Sequence, residues 1–173
     1  MKQAAVSFLV ILLGLSIYSN GLIAQKKHID IHYDRFTRTT QIKTHISWLK
    51  LGGKNPKLFV SIICDGDNIS VDSIQDIDLI FVNFNSYRFE YDKCRPVYCL
   101  VDDEPLELPE KIEYKANIDN HGYWEYIGMK IDYLTLEKLW NAQKIEFKIC
   151  NDEFSPGKDE VAAIQEIKAL FEK

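Results

Sequence analysis

The stretch that decides the fold is residues 28–51, which read His-Ile-Asp-Ile-His-Tyr-Asp-Arg-Phe-Thr-Arg-Thr-Thr-Gln-Ile-Lys-Thr-His-Ile-Ser-Trp-Leu-Lys-Leu. Apolar and polar residues alternate through most of it, and this period of two is typical of half-buried β-strands. Ile29, Ile31 and Tyr33 share one face, because successive strand side chains point to opposite faces. The alternation breaks over residues 34–37 and then resumes. The stretch therefore predicts an antiparallel pair of strands whose apolar face begins the core.

The first 24 residues have the layout of a secretory signal peptide. One positive charge, Lys2, precedes an uncharged, mostly apolar run over residues 4–18, and a segment ending in Ala24 follows. The run is short for a membrane span, which needs roughly 20 residues. We therefore predict a signal peptide over 1–24 and a single β-rich α+β domain over 25–173, in a periplasmic or secreted protein. An uncleaved anchor and a buried core helix are the alternatives for the apolar run.

Charge narrows the classes of partner. The whole chain has 21 basic and 26 acidic residues, and loss of Lys2 on cleavage would leave a net charge of −6. Basic residues form no block, which argues against nucleic acid and anionic membrane surfaces as partners. The expected partner is an unknown protein or a component of the cell envelope, and no transmembrane span is expected after signal cleavage.

Four cysteines remain after the predicted cleavage: Cys64, Cys94, Cys99 and Cys150. An even number in an exported chain indicates disulfides, and three pairings are possible. Cys94 and Cys99 are a candidate pair if the chain turns between them, because a straight strand would hold them about 16 Å apart. A disulfide needs a Cα separation of roughly 5.5–6 Å. The alternative is that Cys64, Cys99 and Cys150 are buried thiols.

The middle of the chain continues the strand pattern, and helical patterns appear near the C-terminus. Further strands are predicted over 58–64, 77–84, 97–101 and 145–149, together with a hairpin of 111–116 and 123–131. Thr135 is a suitable N-cap for a helix over 136–142, and Ser155-Pro156 opens a final helix. Because strands precede helices, we predict an α+β fold, a mainly antiparallel sheet or sandwich with two helices near the C-terminus.

Two blocks of the sequence resemble a family of uncharacterised exported bacterial proteins. The first is Tyr33-Asp34-Arg35-Phe36-Thr37, followed by Thr39-Thr40 and a strand. The second is a short helix over 134–142, a strand over 144–149, a loop and a terminal helix. The resemblance implies an exported, β-rich bacterial protein. It implies no catalytic residue, because the family has no known activity.

The sharpest candidate for chemistry is a set of four possible ligands spaced by two: His28, Asp30, His32 and Asp34. On one strand face, alternate residues lie roughly 6.6 Å apart. Two imidazoles and a carboxylate suit zinc or another divalent transition metal, so His28, Asp30 and His32 are the predicted metal ligands. A further ligand would come from elsewhere, such as His45 or His121. The alternative is a solvent-exposed face of an edge strand.

The sequence has no motif that selects an enzyme class. A Gly-x-Ser-x-Gly elbow, a phosphate-binding loop and a dinucleotide fingerprint are all missing. We therefore predict a non-enzymatic binding or envelope-associated domain with no cofactor beyond a possible divalent metal. One alternative is a metal-binding protein or metal-dependent hydrolase that uses the His28, Asp30 and His32 face. Another is an assembly subunit that uses an exposed sheet edge.

Overall fold

The computed structural model describes residues 28–45, 55–85, 91–93, 96–110, 112–120 and 122–172. These residues form an α+β fold with ten strands, two helices and a short 3-10 turn at Val71–Ser73. The strands are β1 (Ile29–Asp34), β2 (Thr39–Thr44), β3 (Lys57–Asp65), β4 (Ile74–Asn85), β5 (Val97–Val101), β6 (Glu104–Leu106), β7 (Glu113–Asp119), β8 (Gly122–Lys130), β9 (Ile145–Ile149) and β10 (Asp152–Phe154). The helices are α1 (Tyr133–Asn141) and α2 (Lys158–Phe171). The predicted fold class is confirmed.

The larger sheet has six antiparallel strands in the order β1-β2-β3-β4-β8-β7. Its register is set by rows of apolar side chains on one face, since a slip of one residue would turn each row towards solvent. One row runs from Ile42 to Ile62 and on to Ile77, and another joins Phe81 to Ile127. These side chains are all buried, so this face is the inner face of the sheet.

The smaller sheet has four antiparallel strands in the order β10-β9-β5-β6 and covers part of that inner face. The contact is aromatic. The ring of Phe81 on β4 lies 4.8 Å from the ring of Phe147 on β9 and 5.9 Å from the ring of Phe154 on β10, both edge-to-face. Edge-to-face pairs place the positive ring edge against the negative ring face, which adds to the gain from burial.

Helix α2 covers another part of the inner face, over β1, β2 and β3. Its buried stripe consists of Ala163, Ile164 and Ile167, which recur at the three- and four-residue spacing of one helix face. Helix α1 contacts α2, and the ring of Trp140 lies 6.0 Å from that of Phe171. The core therefore lies between two layers. The six-stranded sheet forms one layer, and α2 together with the four-stranded sheet forms the other.

Both helices begin at residues other than those predicted. Asp132 caps α1, because its Oδ1 accepts the backbone N–H of Thr135 at 2.7 Å. Thr135 therefore lies inside the first turn, and its N–H is the group that is capped. Helix α2 has Gly157 as its N-cap, two residues after the predicted start at Ser155. Neither of the described helices is long and apolar enough to cross a membrane.

Candidate functional site

Strand β1 has one apolar face, but only its first part is covered. Ile29 is 5% exposed, whereas Ile31 and Tyr33 on the same face are 40% and 45% exposed. The sequence predicted that all three begin the core, and for the last two this is wrong. The reason is tertiary, because β1 extends past the element that covers its start.

That covering element is α2, and a carboxylate fixes it to the start of β1. Glu166 on α2 accepts the backbone N–H of His28 at 3.0 Å, and its other oxygen lies 2.5 Å from Nδ1 of the same histidine. Both side chains are partly buried, so water competes less for these bonds than it does at the surface. The start of β1 is therefore held firmly.

Two backbone hydrogen bonds define which groups of β1 point towards β2. The His45 N–H donates to the carbonyl of His28 at 2.5 Å, which makes this a hydrogen-bonded pair. Such pairs alternate along an antiparallel ladder, so the even-numbered residues of β1 direct their backbone groups at β2. A second bond, from the Gly66 N–H to the Arg38 carbonyl at 2.7 Å, supports this assignment. It shows that the backbone groups of residue 38 point towards β3, so those of residue 39, the partner of Asp34, point towards β1.

The odd-numbered residues of β1 consequently direct their N–H and C=O groups away from the sheet. They are Ile29, Ile31 and Tyr33. Among the strands that the structure describes, β1 pairs with β2 alone and lies at the end of the strand order. We use the name "β1 edge" for these outward backbone groups together with the exposed side chains of residues 30–33.

The β1 edge differs from the other three edge strands of the described sheets. Strands β6 and β10 have only three residues each, and β6 contains Pro105. Strand β7 carries Lys115, whose ammonium lies 2.8 Å from a carboxylate oxygen of Glu113. Short length, proline and charged side chains, lysine above all, are among the devices that keep sheet edges from pairing with other chains. Strand β1 has six residues and no lysine, arginine or proline, and its acidic residues Asp30 and Asp34 are charges that an added strand would have to match.

The turn after β1 adds a large apolar side chain beside this edge. Phe36 is 84% exposed, and the guanidinium of Arg35 lies 4.9 Å from the centre of its ring. The Phe36 N–H donates to Oδ1 of Asp34 at 2.8 Å, and this bond lowers the pKa of the Asp34 carboxyl. Arg38 closes the turn with a φ of 55°. The turn is therefore held by local bonds while its aromatic ring faces solvent.

Two of the predicted metal ligands bond to other side chains. His28 contacts Glu166, and Oδ2 of Asp30 lies 3.1 Å from Nδ1 of His45. His32 is exposed on the same face as Asp30. Within the described ranges, no group of three or more histidine, cysteine, aspartate or glutamate side chains is arranged to hold a metal ion. The set of His28, Asp30 and His32 is thus not brought together as a ligand sphere.

The cysteines also differ from the predicted pairing. Cys99 is a free thiol, 3% exposed, so it does not bond to Cys94, which lies outside the described residues. Cys99 lies directly opposite Phe147 of β9, so the two side chains share the inner face of the smaller sheet. Burial raises the pKa of the Cys99 thiol to about 12. Cys64 is also a buried free thiol, and Cys150 is disulfide-bonded.

A small cavity of about 170 Å³ lies between α1, the start of β9 and α2. Leu139, Ile145 and Ile164 contribute apolar lining, and Lys144 lies at its border. Hydrogen bonds from Lys144 to Asp103 and a second carboxylate raise the pKa of its ammonium. Sites for small molecules or cofactors usually enclose about 300–1,000 Å³. The cavity is smaller than that and has room for about one side chain.

No protein-family model, curated protein or solved structure matches this chain. The function is therefore inferred from geometry. Sequence reasoning missed the role of Glu166, which binds a residue 138 positions away. In the sequence, Glu166 lies outside the apolar stripe of the last helix, as many surface residues do, so no local signal distinguishes it.

Proposed function

We propose that this protein is an exported, non-enzymatic binding domain whose β1 edge takes up an extended segment of a protein partner. The observation that carries the proposal is the row of outward backbone groups at Ile29, Ile31 and Tyr33, on a strand without lysine, arginine or proline. In this mode of recognition the main-chain hydrogen bonds provide affinity, and alternate side chains provide specificity.

The two faces of β1 would contact an added strand differently. On the inner face, Ile31 and Tyr33 are half-exposed and lie beyond the end of the cover that α2 supplies. On the outer face, Asp30 and His32 are exposed. An added strand would therefore bury apolar side chains on one face and place polar or charged ones on the other. Burial of apolar area supplies most of the driving force for such association.

The β1 edge is also held in place before a partner arrives. Glu166 fixes the start of the strand to α2, and the whole length of β1 pairs with β2. Little backbone ordering is then required on this side of the complex, which lowers the entropic cost of binding.

Amide hydrogen exchange followed by NMR tests this proposal directly. The probe is a seven-residue peptide of alternating isoleucine and lysine, added to residues 25–173. At a protein concentration low enough for the chain to sediment as a monomer, we expect it to slow exchange at the amides of Ile31 and Tyr33, which point outwards, and to leave those of Asp30 and His32 nearly unchanged, because they already bond to β2. Protection elsewhere, or none at these two amides, would contradict the proposal.

Proline variants provide matched controls for the same measurement. Ile31→Pro removes an outward N–H and should abolish the protection while the domain stays folded. His32→Pro removes an N–H that bonds to β2 and should lower the stability of the domain. Ile118→Ala removes an exposed apolar side chain from the opposite edge strand and should leave peptide binding unchanged.

Export is part of the proposal and has its own test. It is supported by the charge and apolar pattern of residues 1–24, which lie outside the described residues. The intact mass of the protein purified from its native cells should correspond to a chain that begins at Gln25. Full-length protein found only in the cytosol would contradict this part of the proposal.

A further inference from the structure

We infer that the strand added at the β1 edge is β1 of a second copy of this chain, antiparallel to the first and related to it by a two-fold axis at Ile31. The inference rests on the proposed function, because it requires strand addition at this edge. It names the occupant, and the amino-acid sequence of β1 supplies the reason.

The hydrogen-bond pattern restricts how two β1 strands can pair. In an antiparallel ladder, the residues that exchange hydrogen bonds must both direct their backbone groups at the other strand. On β1 only the odd-numbered residues do so, so they must pair among themselves. With the axis at Ile31, this residue lies opposite its own copy, and Ile29 lies opposite Tyr33 of the second copy. All the outward residues of β1 are then used.

The same register makes the outer faces complementary. Asp30 lies opposite His32 of the second copy, and the symmetry produces this acid–imidazole pair twice. Both side chains are exposed in the single chain and therefore accessible to a second copy. A carboxylate directly opposite an imidazole can accept its N–H and attracts its protonated form, whereas like charges directly across two strands are unfavourable.

Neighbouring registers are worse. An axis at His32 would place Asp30 opposite Asp34 of the second copy, which sets two carboxylates against each other twice. An axis at Asp30 would place this carboxylate opposite itself. An axis at Tyr33 would bring the turn residues 35–38 into the pairing, and these lie outside the strand. Charge and strand length together select the axis at Ile31.

The inner face supports the same arrangement. Ile31 and Tyr33 are the two side chains of β1 that α2 leaves half-exposed. In the Ile31 register, the two copies of Ile31 contact each other at the centre, and each Tyr33 lies beside the Ile29 of the other copy. The apolar surface that is exposed in one chain is covered in the pair on both sides of the axis.

Cross-linking through one added cysteine tests the register. Each of Ile31→Cys, His32→Cys and Tyr33→Cys is made separately in residues 25–173, and each variant is oxidised mildly beside the unmodified chain. Hydrogen-bonded antiparallel pairs have Cα atoms about 5.5 Å apart, which lies within the range of roughly 4.4–6.8 Å for disulfides. In the Ile31 register, the Cα atoms of the two copies are roughly 8 Å apart at residue 32 and roughly 14 Å apart at residue 33. We expect only Ile31→Cys to form a covalent dimer efficiently. Dominant cross-linking of either other variant would overturn the register.

Sedimentation of the unmodified protein over a range of concentrations tests the dimer itself. We expect reversible dimers, and Asp30→Lys should weaken them by roughly tenfold or more, since it replaces two favourable pairs with unfavourable ones. The double variant Asp30→His with His32→Asp keeps both acid–imidazole pairs in reversed order and should dimerise like the unmodified chain. If the chain stays a strict monomer at high concentration but the isoleucine–lysine peptide protects its outward amides, the inference is overturned and the proposed function stands. If the chain is a monomer and the peptide protects neither amide, the inference and the proposed function are both overturned.

Discussion

Replacing Glu160 by alanine is expected to destabilise the domain by about 3 kcal/mol. Glu160 lies in the first turn of α2 and is only 5% exposed. One carboxylate oxygen accepts the N–H of Leu58 on β3 at 2.8 Å, and the other accepts the N–H of Gly157 at 2.5 Å. The side chain therefore caps the helix that covers β1 and also joins it to the sheet.

The magnitude follows from these two bonds. A hydrogen bond to a charged group contributes about 1.5–3 kcal/mol. We take the lower value for each, because the start of the helix lies near solvent and water can partly replace the lost acceptor. Glu160→Gln keeps one acceptor oxygen and should cost about half as much. With a slope of about 2 kcal/mol per molar urea, the alanine variant should unfold at a midpoint lower by about 1.5 M.

The matched control is Glu172→Ala at the other end of the same helix. Glu172 is exposed, and its ion pair with Lys168 is an i,i+4 contact at 3.5 Å. Such pairs contribute about 0.3–0.5 kcal/mol. If Glu160→Ala shifted the urea midpoint no further than Glu172→Ala, the reasoning about the buried carboxylate would be refuted.

Three further predictions concern the cysteines and the cap of α1. In the native protein at neutral pH, Cys64 and Cys99 should resist alkylation, because burial raises the pKa of both thiols, and mass spectrometry should show two alkylated thiols only after unfolding. Cys150 is disulfide-bonded, so a peptide map without reduction should show the peptide that contains it in a disulfide-linked form; a free Cys150 thiol would contradict this. Asp132→Ala should cost about 1 kcal/mol at neutral pH, measured by thermal unfolding. Hydrogen bonds to Thr135 lower the pKa of the Asp132 carboxyl from 3.8, so the cost of the substitution should be present above pH 3.8 and shrink as pH falls through the lowered pKa. A cost that does not change with pH would contradict the role of this carboxylate as the cap.

Most strands could be predicted from the sequence, because their pattern is local. The ranges predicted for β5 and β9, residues 97–101 and 145–149, agree with the structure. The strands β6 and β10 were missed, since three residues are too short to show alternation. Helix starts were misplaced by a few residues, because several residues near each start can cap a helix and tertiary contacts decide which one does.

The candidate site could be predicted only in part. The exposed positions of Asp30 and His32 follow from the alternation of β1. The partner of His28 could not be predicted, because Glu166 lies 138 residues further along the chain. The sequence left a buried thiol and a disulfide open for Cys99, since its burial depends on the distant strand β9.

The amino-acid sequence alone determined that β1 is a strand and which side chains share each of its faces. Both are consequences of backbone geometry within a few residues. The tertiary structure alone decided that Ile29 is buried while Ile31 and Tyr33 remain half-exposed, and that β1 lies at a sheet edge. Burial and edge position depend on which distant segments dock against the strand, and here α2 reaches only as far as its start.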